Sequence, residues 1–255
     1  MPQPLSTQPI GSPFIELQSI DSTNNYARQQ IHAEMAQSGM TVFAHEQVAG
    51  KGQRGKSWTS EKDVNMAISV ILKPELITLS KPFQLSVCVA VAAFRFFEKY
   101  AGEGTKIKWP NDIYWQDRKA GGILIENTIS ASGNWDWAVC GIGININQAN
   151  FPSHLRNPVS LKQITGKNFD IIHLAKELCQ QLDMACHEFS NNGFEQLIEN
   201  YNSNLYKRNE KVKLKKENRV FEAEIKTVLP SGELLVQHTI EESFSFGEVE
   251  WILMY

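Results

Sequence analysis

The chain has 255 residues, about 1.7 times a common domain length of about 150, enough for one large domain or a large and a small one. It carries 25 basic and 28 acidic residues, a formal charge of −3, so it has no general field for gripping a phosphate backbone. With 42% hydrophobic and 21% charged residues it is ordinary globular protein, and its longest apolar run, Leu85–Phe94, is about half a membrane span.

Residues 1–13 are proline-rich and read as a loose N-terminal arm. Ser22-Thr23 offers an N-cap for a short amphipathic helix with Ala27, Ile31 and Met35 on its apolar face. A strand is predicted over Thr41–Gln47, followed by a polar, Gly-rich stretch from Gly50 to Asp63. Met66–Leu72 is an apolar run stopped by Lys73-Pro74, and it reads as a buried strand. Phe83–Tyr100, Ala-rich and apolar on most sides, reads as a helix buried against a sheet.

Four strand-like segments come next, at Lys106–Trp109, Ile113–Trp115, Gly122–Ile129 and Trp135–Asn147, then two helices over 170–205. From Glu210 the texture alternates. Val212–Lys215, Val220–Val228, Glu233–Gln237 and Ser243–Leu253 predict a small β-barrel, with a turn at Pro230-Ser231-Gly232. The expected division is an arm over 1–13, a mixed α+β domain over 14–207 and a β unit over 208–255.

The four cysteines contain no CxxC pair and sit in or beside apolar stretches, so they read as buried thiols. The histidines are scattered, His154 among them, with no HExxH, and no protein-held metal site is expected. The first basic residue is Arg28, so the chain lacks the basic start of a secretory signal. The cytoplasm is the expected compartment.

Gly50-Lys51-Gly52-Gln53-Arg54-Gly55-Lys56-Ser57 satisfies both G-x-x-x-x-G-K-S and G-x-G-x-x-G. Both patterns need a helix immediately after, because its N-terminus cradles the phosphates. The sequence Trp58–Asn65 has no apolar period and leads into a strand, which argues against a P-loop or a dinucleotide fingerprint. What remains is a glycine-rich loop whose exposed N–H groups and three cations, Lys51, Arg54 and Lys56, suit an anionic ligand. Downstream, Lys108-Trp109-Pro110-Asn111-Asp112 puts a cation, an aromatic wall and a carboxylate on one strand end. Lys119-Ala120-Gly121-Gly122 heads an apolar strand that runs to Glu126, and Gly141-Ile142-Gly143-Ile144-Asn145 places an asparagine in another. A buried amide costs free energy unless it is paired.

Asp21-Ser22-Thr23-Asn24, the loop ending in Trp58, the Lys108–Asp112 segment, Lys119–Gly122 and Gly141–Asn145 together resemble the biotin–protein ligases, in family order across residues 21–147. The resemblance implies an α+β fold: a class II aminoacyl-tRNA synthetase-like core with an antiparallel sheet backed by helices, plus a C-terminal SH3-like β-barrel. It implies an ATP-dependent ligase, a biotin–[acetyl-CoA-carboxylase] ligase, that makes biotinyl-5′-AMP and passes biotin to one lysine of a biotin carboxyl carrier protein, with Mg²⁺ on the phosphates. Some members carry an N-terminal helix-turn-helix domain and double as repressors. Too few residues precede Asp21 for such a domain, so a ligase with no DNA partner and no repressor function is expected. Members often pair edge strands as homodimers, and the sequence leaves the oligomeric state open.

By the same resemblance Lys119 meets the biotin carboxylate and the α-phosphate, and Asp112 orients or deprotonates the incoming amine. Asp112 read alone is equally a turn-former. Ser22, Thr23, Asn24 and Gln47 would hold the biotin head, and Lys51, Gly52 and Gln53 would fold over the intermediate. Gly50, Arg54, Trp58, Lys108, Asn111 and Asn145 complete the adenylate set. One departure stands out: the family loop commonly reads Gly-Arg-Gly-Arg, whereas Gln53 here brings no charge, with Arg54 one residue on as the only compensation. The rival readings are a lipoate or octanoate ligase or transferase of the same fold, a non-catalytic biotin or nucleotide sensor, and a P-loop NTPase with a helix over 56–66.

Overall fold

The computed structural model describes residues 8–75, 77–153, 155 and 157–252. The first seven residues of the expected arm, His154 and Leu253 at the end of the last expected strand lie outside them.

In chain order the larger unit contains β1 (Phe14–Leu17), α1 (Thr23–His32), β2 (Thr41–Ala44), β3 (Gly50–Lys51), β4 (Ser57–Trp58) and β5 (Met66–Leu72). It continues with α2 (Phe83–Ala101), β6 (Thr105–Lys108), β7 (Asp112–Trp115), β8 (Arg118–Ile129), β9 (Trp135–Ile144), α3 (Leu161–Thr165), α4 (Ile171–Asn192) and α5 (Phe194–Ser203). Seven strands form one sheet in the order β1-β2-β5-β9-β8-β7-β6, parallel at β1–β2 and antiparallel elsewhere. β3 and β4 form a separate hairpin.

The uninterrupted apolar run of β5 follows from burial on both faces. Met66, Ile68, Val70 and Leu72 join the main core with α2, while Ala67, Ser69 and Ile71 face the opposite side under α1. Helix α2 is apolar nearly all round because α4 covers its outer side. Arg95 meets Glu188 at 2.8 Å and Lys99 meets Glu177 at 2.7 Å across that seam. The Tyr100 hydroxyl donates to the same Glu177 at 2.6 Å, and burial beside that carboxylate pushes its pKa up to about 12. All four cysteines are buried and free, as their apolar settings predict.

The smaller unit is an antiparallel sheet of β10 (Lys211–Lys216), β11 (Arg219–Val228), β12 (Leu234–Gln237), β13 (Glu241–Phe244) and β14 (Glu250–Ile252), in the order β13-β12-β11-β10-β14. It is the expected SH3-like β unit, and the whole is the expected α+β architecture. Leu214, Ile225, Leu234 and Phe244 merge with the core of the larger unit. The Asn202 side chain holds the two together, donating to the Val228 carbonyl at 2.9 Å and accepting from its N–H at 2.8 Å.

Several expected boundaries shift for local reasons. Helix α1 stops at His32, with Glu34 in the left-handed region at φ 57°, and Met35 lies beyond it, 62% exposed. The expected Thr41–Gln47 strand ends at Ala44, and Gln47 rejoins only as a single bridge to Ile20. β8 begins four residues before Gly122 because Arg118 and Lys119 already pair with β7. β9 ends at Ile144, where Asn145 and Asn147 leave the sheet for other partners. The expected Ser243–Leu253 strand is two strands, broken at Gly247 (φ 92°), where the Glu248 carboxylate accepts from the Ser245 N–H at 2.7 Å. The end of the expected arm is packed, not loose: Ile10 is buried and the Gly11 N–H donates to the Gly39 carbonyl at 2.8 Å. The short β1 and α3 were not anticipated, being too brief for a period to show.

His45 ties the far end of the Gly50–Asp63 stretch to the sheet. Its ring nitrogens meet Asp63 at 2.5 Å and Glu16 at 2.7 Å, and its ring stands edge-on to Phe43. The bond to Glu16 is the largest cause raising its pKa above the ordinary 6.5, with Asp63 adding to it and partial burial opposing. A raised pKa gives stability that is complete below the unfolded value and lost as pH rises through the folded one. The melting-temperature gap between the wild type and His45→Gln should therefore narrow from pH 6 to pH 9, as read by thermal unfolding. A constant gap would contradict a charged clamp.

Candidate active site

Alternation along β8 and β9 puts Ile123, Ile142 and Ile144 in the core and leaves glycines on the opposite face. Asp112, Gly122, Gly143 and Ala67 lie side by side in one row across the sheet. Leu124, Gly141, Ser69 and Val42 form the next row, about 7 Å along the strands. The glycines are needed for space. A Cβ on Gly141 would lie 2.3 Å from Asn24 Oδ1, and one on Gly143 would lie 2.6 Å from the Trp58 ring. The result is a floor with backbone exposed at its centre.

One end of this floor is polar. The first residues of α1 are buried there, with Ser22, Thr23 and Asn24 each no more than 3% exposed. Ser22 stands at the N-cap but makes no side-chain cap bond. Thr23 donates to Gln47 Oε1 through its N–H at 2.8 Å and its hydroxyl at 3.0 Å. Asn24 donates to Glu126 at 2.7 Å and accepts from the Ser69 hydroxyl at 2.6 Å. Ser69 and Glu126 are thus site residues that sequence reasoning left unassigned. The signal for Ser69 is present: it is the one polar residue in an apolar strand.

The other end is charged. Lys119 Nζ pairs with Asp112 Oδ1 at 2.6 Å, with Lys119 37% and Asp112 18% exposed. Gly122 makes room for them, since a Cβ there would sit 3.3 Å from the Lys119 amine. Lys108 lies deeper, its amine 5.3 Å from the Tyr114 ring and 5.1 Å from the Trp251 ring. Burial pushes its pKa down to about 8; Asp112 opposes this, and Lys119 and Lys56 add to it. Lys108 stands opposite Asp112 across the β6–β7 pair, so its amine is a partly buried cation beside the charged end of the floor.

The β3–β4 hairpin closes over the floor. Trp58 rests on Gly143, and Gln53 Nε2 donates to the Ile123 carbonyl at 3.3 Å, the same oxygen that Asn111 reaches at 2.6 Å. Gln53 Oε1 and Trp58 Nε1 are both buried with no protein partner. Buried polar atoms in that state mark a place where a polar ligand fits. Gly50 and Gly52 shape the hairpin, and a Cβ at Gly50 would strike the Trp58 carbonyl at 2.4 Å. Residues 56–66 hold β4 and turns, so the helix a P-loop requires is not there.

Three expected site residues point elsewhere. Lys51 leaves the floor and donates to Asn25 at 2.5 Å. Arg54, at φ 55°, turns towards Gly247 and Phe246 of the smaller unit. Asn145 spends its amide nitrogen on the Val159 carbonyl at 3.0 Å and the Lys119 carbonyl at 3.4 Å, so it braces the Lys119 backbone. Trp109 is core, 3% exposed, and donates to the Gly232 carbonyl at 2.9 Å. Among the described residues, no group of three or more His, Cys, Asp or Glu is placed to hold a metal ion. No helix among them is long and apolar enough to cross a membrane.

Known proteins resemble this chain in sequence and in fold. The bifunctional ligase/repressor BirA of Bacillus spizizenii is 33% identical over 193 residues, 74% of this chain and 58% of that protein. The biotin–[acetyl-CoA-carboxylase] ligase of Paracoccus denitrificans is 37% identical over 107 residues, 41% of this chain and 43% of that one. A biotin protein ligase from Aquifex aeolicus, solved in complex with biotin and ATP, shares the fold. Its TM-score is 0.79 at 24% identity, over 94% of this chain and 98% of that one. The chain spans 58% of the length of the BirA relative, while residues 16–145, about half of this chain, match the Biotin/lipoate A/B protein ligase family model. That segment carries the glycine floor, its polar end and the Lys119–Asp112 pair, and the chain belongs to the biotin/lipoate A/B protein ligase family.

Proposed function

We propose that the chain is a biotin–protein ligase: it joins biotin to AMP and then to a lysine of a biotin carboxyl carrier domain. The observation that carries this reading is the Lys119–Asp112 pair on the bare backbone of Gly122, facing a buried polar cluster at the other end of one floor. The ureido head of biotin pairs with Ser22, Thr23, Asn24 and Gln47, and its apolar middle crosses the glycines. Its carboxylate then reaches Lys119.

In the first step a carboxylate oxygen bonds to the α-phosphorus of ATP, and the bond to pyrophosphate breaks. Two anions must meet, and the Lys119 ammonium neutralises both where charge develops. Its three N–H donors let it turn to both anions while one still holds Asp112. In the second step the Asp112 carboxylate can accept a proton from the carrier lysine amine, which attacks the acyl carbon and expels AMP. The ion pair thus links activation to transfer. Mg²⁺ would be held by the phosphates of ATP, since the described residues supply no cage for it. Trp58 and the hairpin would keep water from the mixed anhydride.

Pyrophosphate release from Mg²⁺-ATP tests the substrate, with biotin, lipoate or octanoate as the only added acid. Biotin should drive release and the other two should not. Release driven by lipoate or octanoate, with none from biotin, would move the chain to the other branch of its family.

A further inference from the structure

The tip of the β3–β4 hairpin makes its one arginine contact outside the larger unit. Arg54 Nη1 donates to the Gly247 carbonyl at 3.4 Å, and its guanidinium lies 5.7 Å from the Phe246 ring centre. Arg54 can turn this way because its backbone is left-handed, at φ 55°. Gly247, at φ 92°, leaves the space: a Cβ there would lie 2.9 Å from the guanidinium. Phe246 is 49% exposed, so its ring is open to the approaching guanidinium.

Phe246 is also tied to the site from behind. Its ring stands edge-on to Trp109 at 6.1 Å, and Trp109 donates to the Gly232 carbonyl of the same unit. Two residues beyond Trp109, Asn111 reaches the Ile123 carbonyl that the hairpin's own Gln53 shares. The contacts therefore close a ring: hairpin tip, turn 245–248, Trp109, Asn111, floor and back to the hairpin.

We propose that Arg54 is a positioning residue, the clasp by which the turn at Phe246-Gly247 holds the β3–β4 hairpin shut over the floor. It acts on how long a bound adenylate is kept, not on bond making. This rests on reading the floor as the adenylate site. The clasp gives the smaller unit a task in the reaction and explains why a loop cation faces away from the phosphates it was expected to meet. One exposed cation–π contact and one long hydrogen bond shift the open–closed balance of the hairpin by about three- to tenfold.

The test is a double-mutant cycle with Arg54→Ala and Phe246→Ala in the full chain, with Arg54→Lys as the conservative variant. Hydrogen exchange at residues 50–58 is measured without ligand, and release of the adenylate from enzyme charged with biotin and Mg²⁺-ATP is measured separately. Each alanine variant should speed both by about three- to tenfold, the double variant should add little, and Arg54→Lys should restore part of the protection. Phe246→Ala should leave the first-turnover rate of pyrophosphate formation unchanged. Additive effects, or an exchange rate unmoved by Phe246→Ala, overturn the clasp and return Arg54 to a direct ligand role. Non-additive exchange in a protein that makes no adenylate with any acid keeps the clasp and overturns the ligase reading instead.

Discussion

Lys119→Met should leave the fold intact and slow pyrophosphate formation by about two to three decades, the usual cost of losing one preorganised donor to developing charge. The lysine side chain is 37% exposed and pairs with Asp112 at 2.6 Å, so its removal empties no core. Methionine keeps the length and the apolar stem. The defect should fall on the rate of the first turnover more than on the affinity for biotin, whose head the proposed binding mode puts at the far end of the floor. Single-turnover pyrophosphate release, with a thermal melt as the folding control, separates these effects. Near-normal release from a folded Lys119→Met protein would place the cation elsewhere, with Lys108, opposite Asp112 across the β6–β7 pair, the next candidate.

Gly141→Ala should disrupt the polar end of the floor. The added Cβ would lie 2.3 Å from Asn24 Oδ1, and Asn24 cannot swing aside freely because Glu126 and Ser69 hold it on both sides. Forcing a methyl into a packed site costs about 1–3 kcal/mol, and displacing Asn24 adds the loss of its hydrogen bonds, about 1 kcal/mol each. The expected result is a lower melting temperature and a KM for biotin raised at least about tenfold, with a smaller change in kcat. Steady-state kinetics against biotin reads this directly. A variant with wild-type KM would show that Asn24 does not contact the acid.

The Lys119–Asp112 and Ser22–Asn24 ends of the site were legible because their residue types are unusual where they stand. A lysine heads an apolar strand, and a run of hydroxyl and amide side chains opens a helix. The architecture was legible for a related reason, since α2 and β5 show their burial on both sides as unbroken apolar runs. Ser69 and Glu126 were missed because their roles depend on register. Only the pairing of β5 with β9 and of β9 with β8 brings both to Asn24. Arg54 turns away from the floor for a third reason. Spacing shows that a cation is present but not which way it turns, and a left-handed backbone and the Phe246 ring decide that. Asn145 illustrates the same limit: spacing does not show that its amide nitrogen reaches the Lys119 carbonyl.

The most direct measurement is a quenched single turnover with radiolabelled ATP, followed by chromatography of the acid-bound AMP and mass analysis of a biotin carrier domain added in a second step. Wild-type protein should accumulate biotinyl-AMP in the first step and deliver one biotin to the carrier's lysine in the second, and Lys119→Met should accumulate little of either product. An enzyme that forms no biotinyl-AMP, or that forms it equally well without Lys119, would contradict the account.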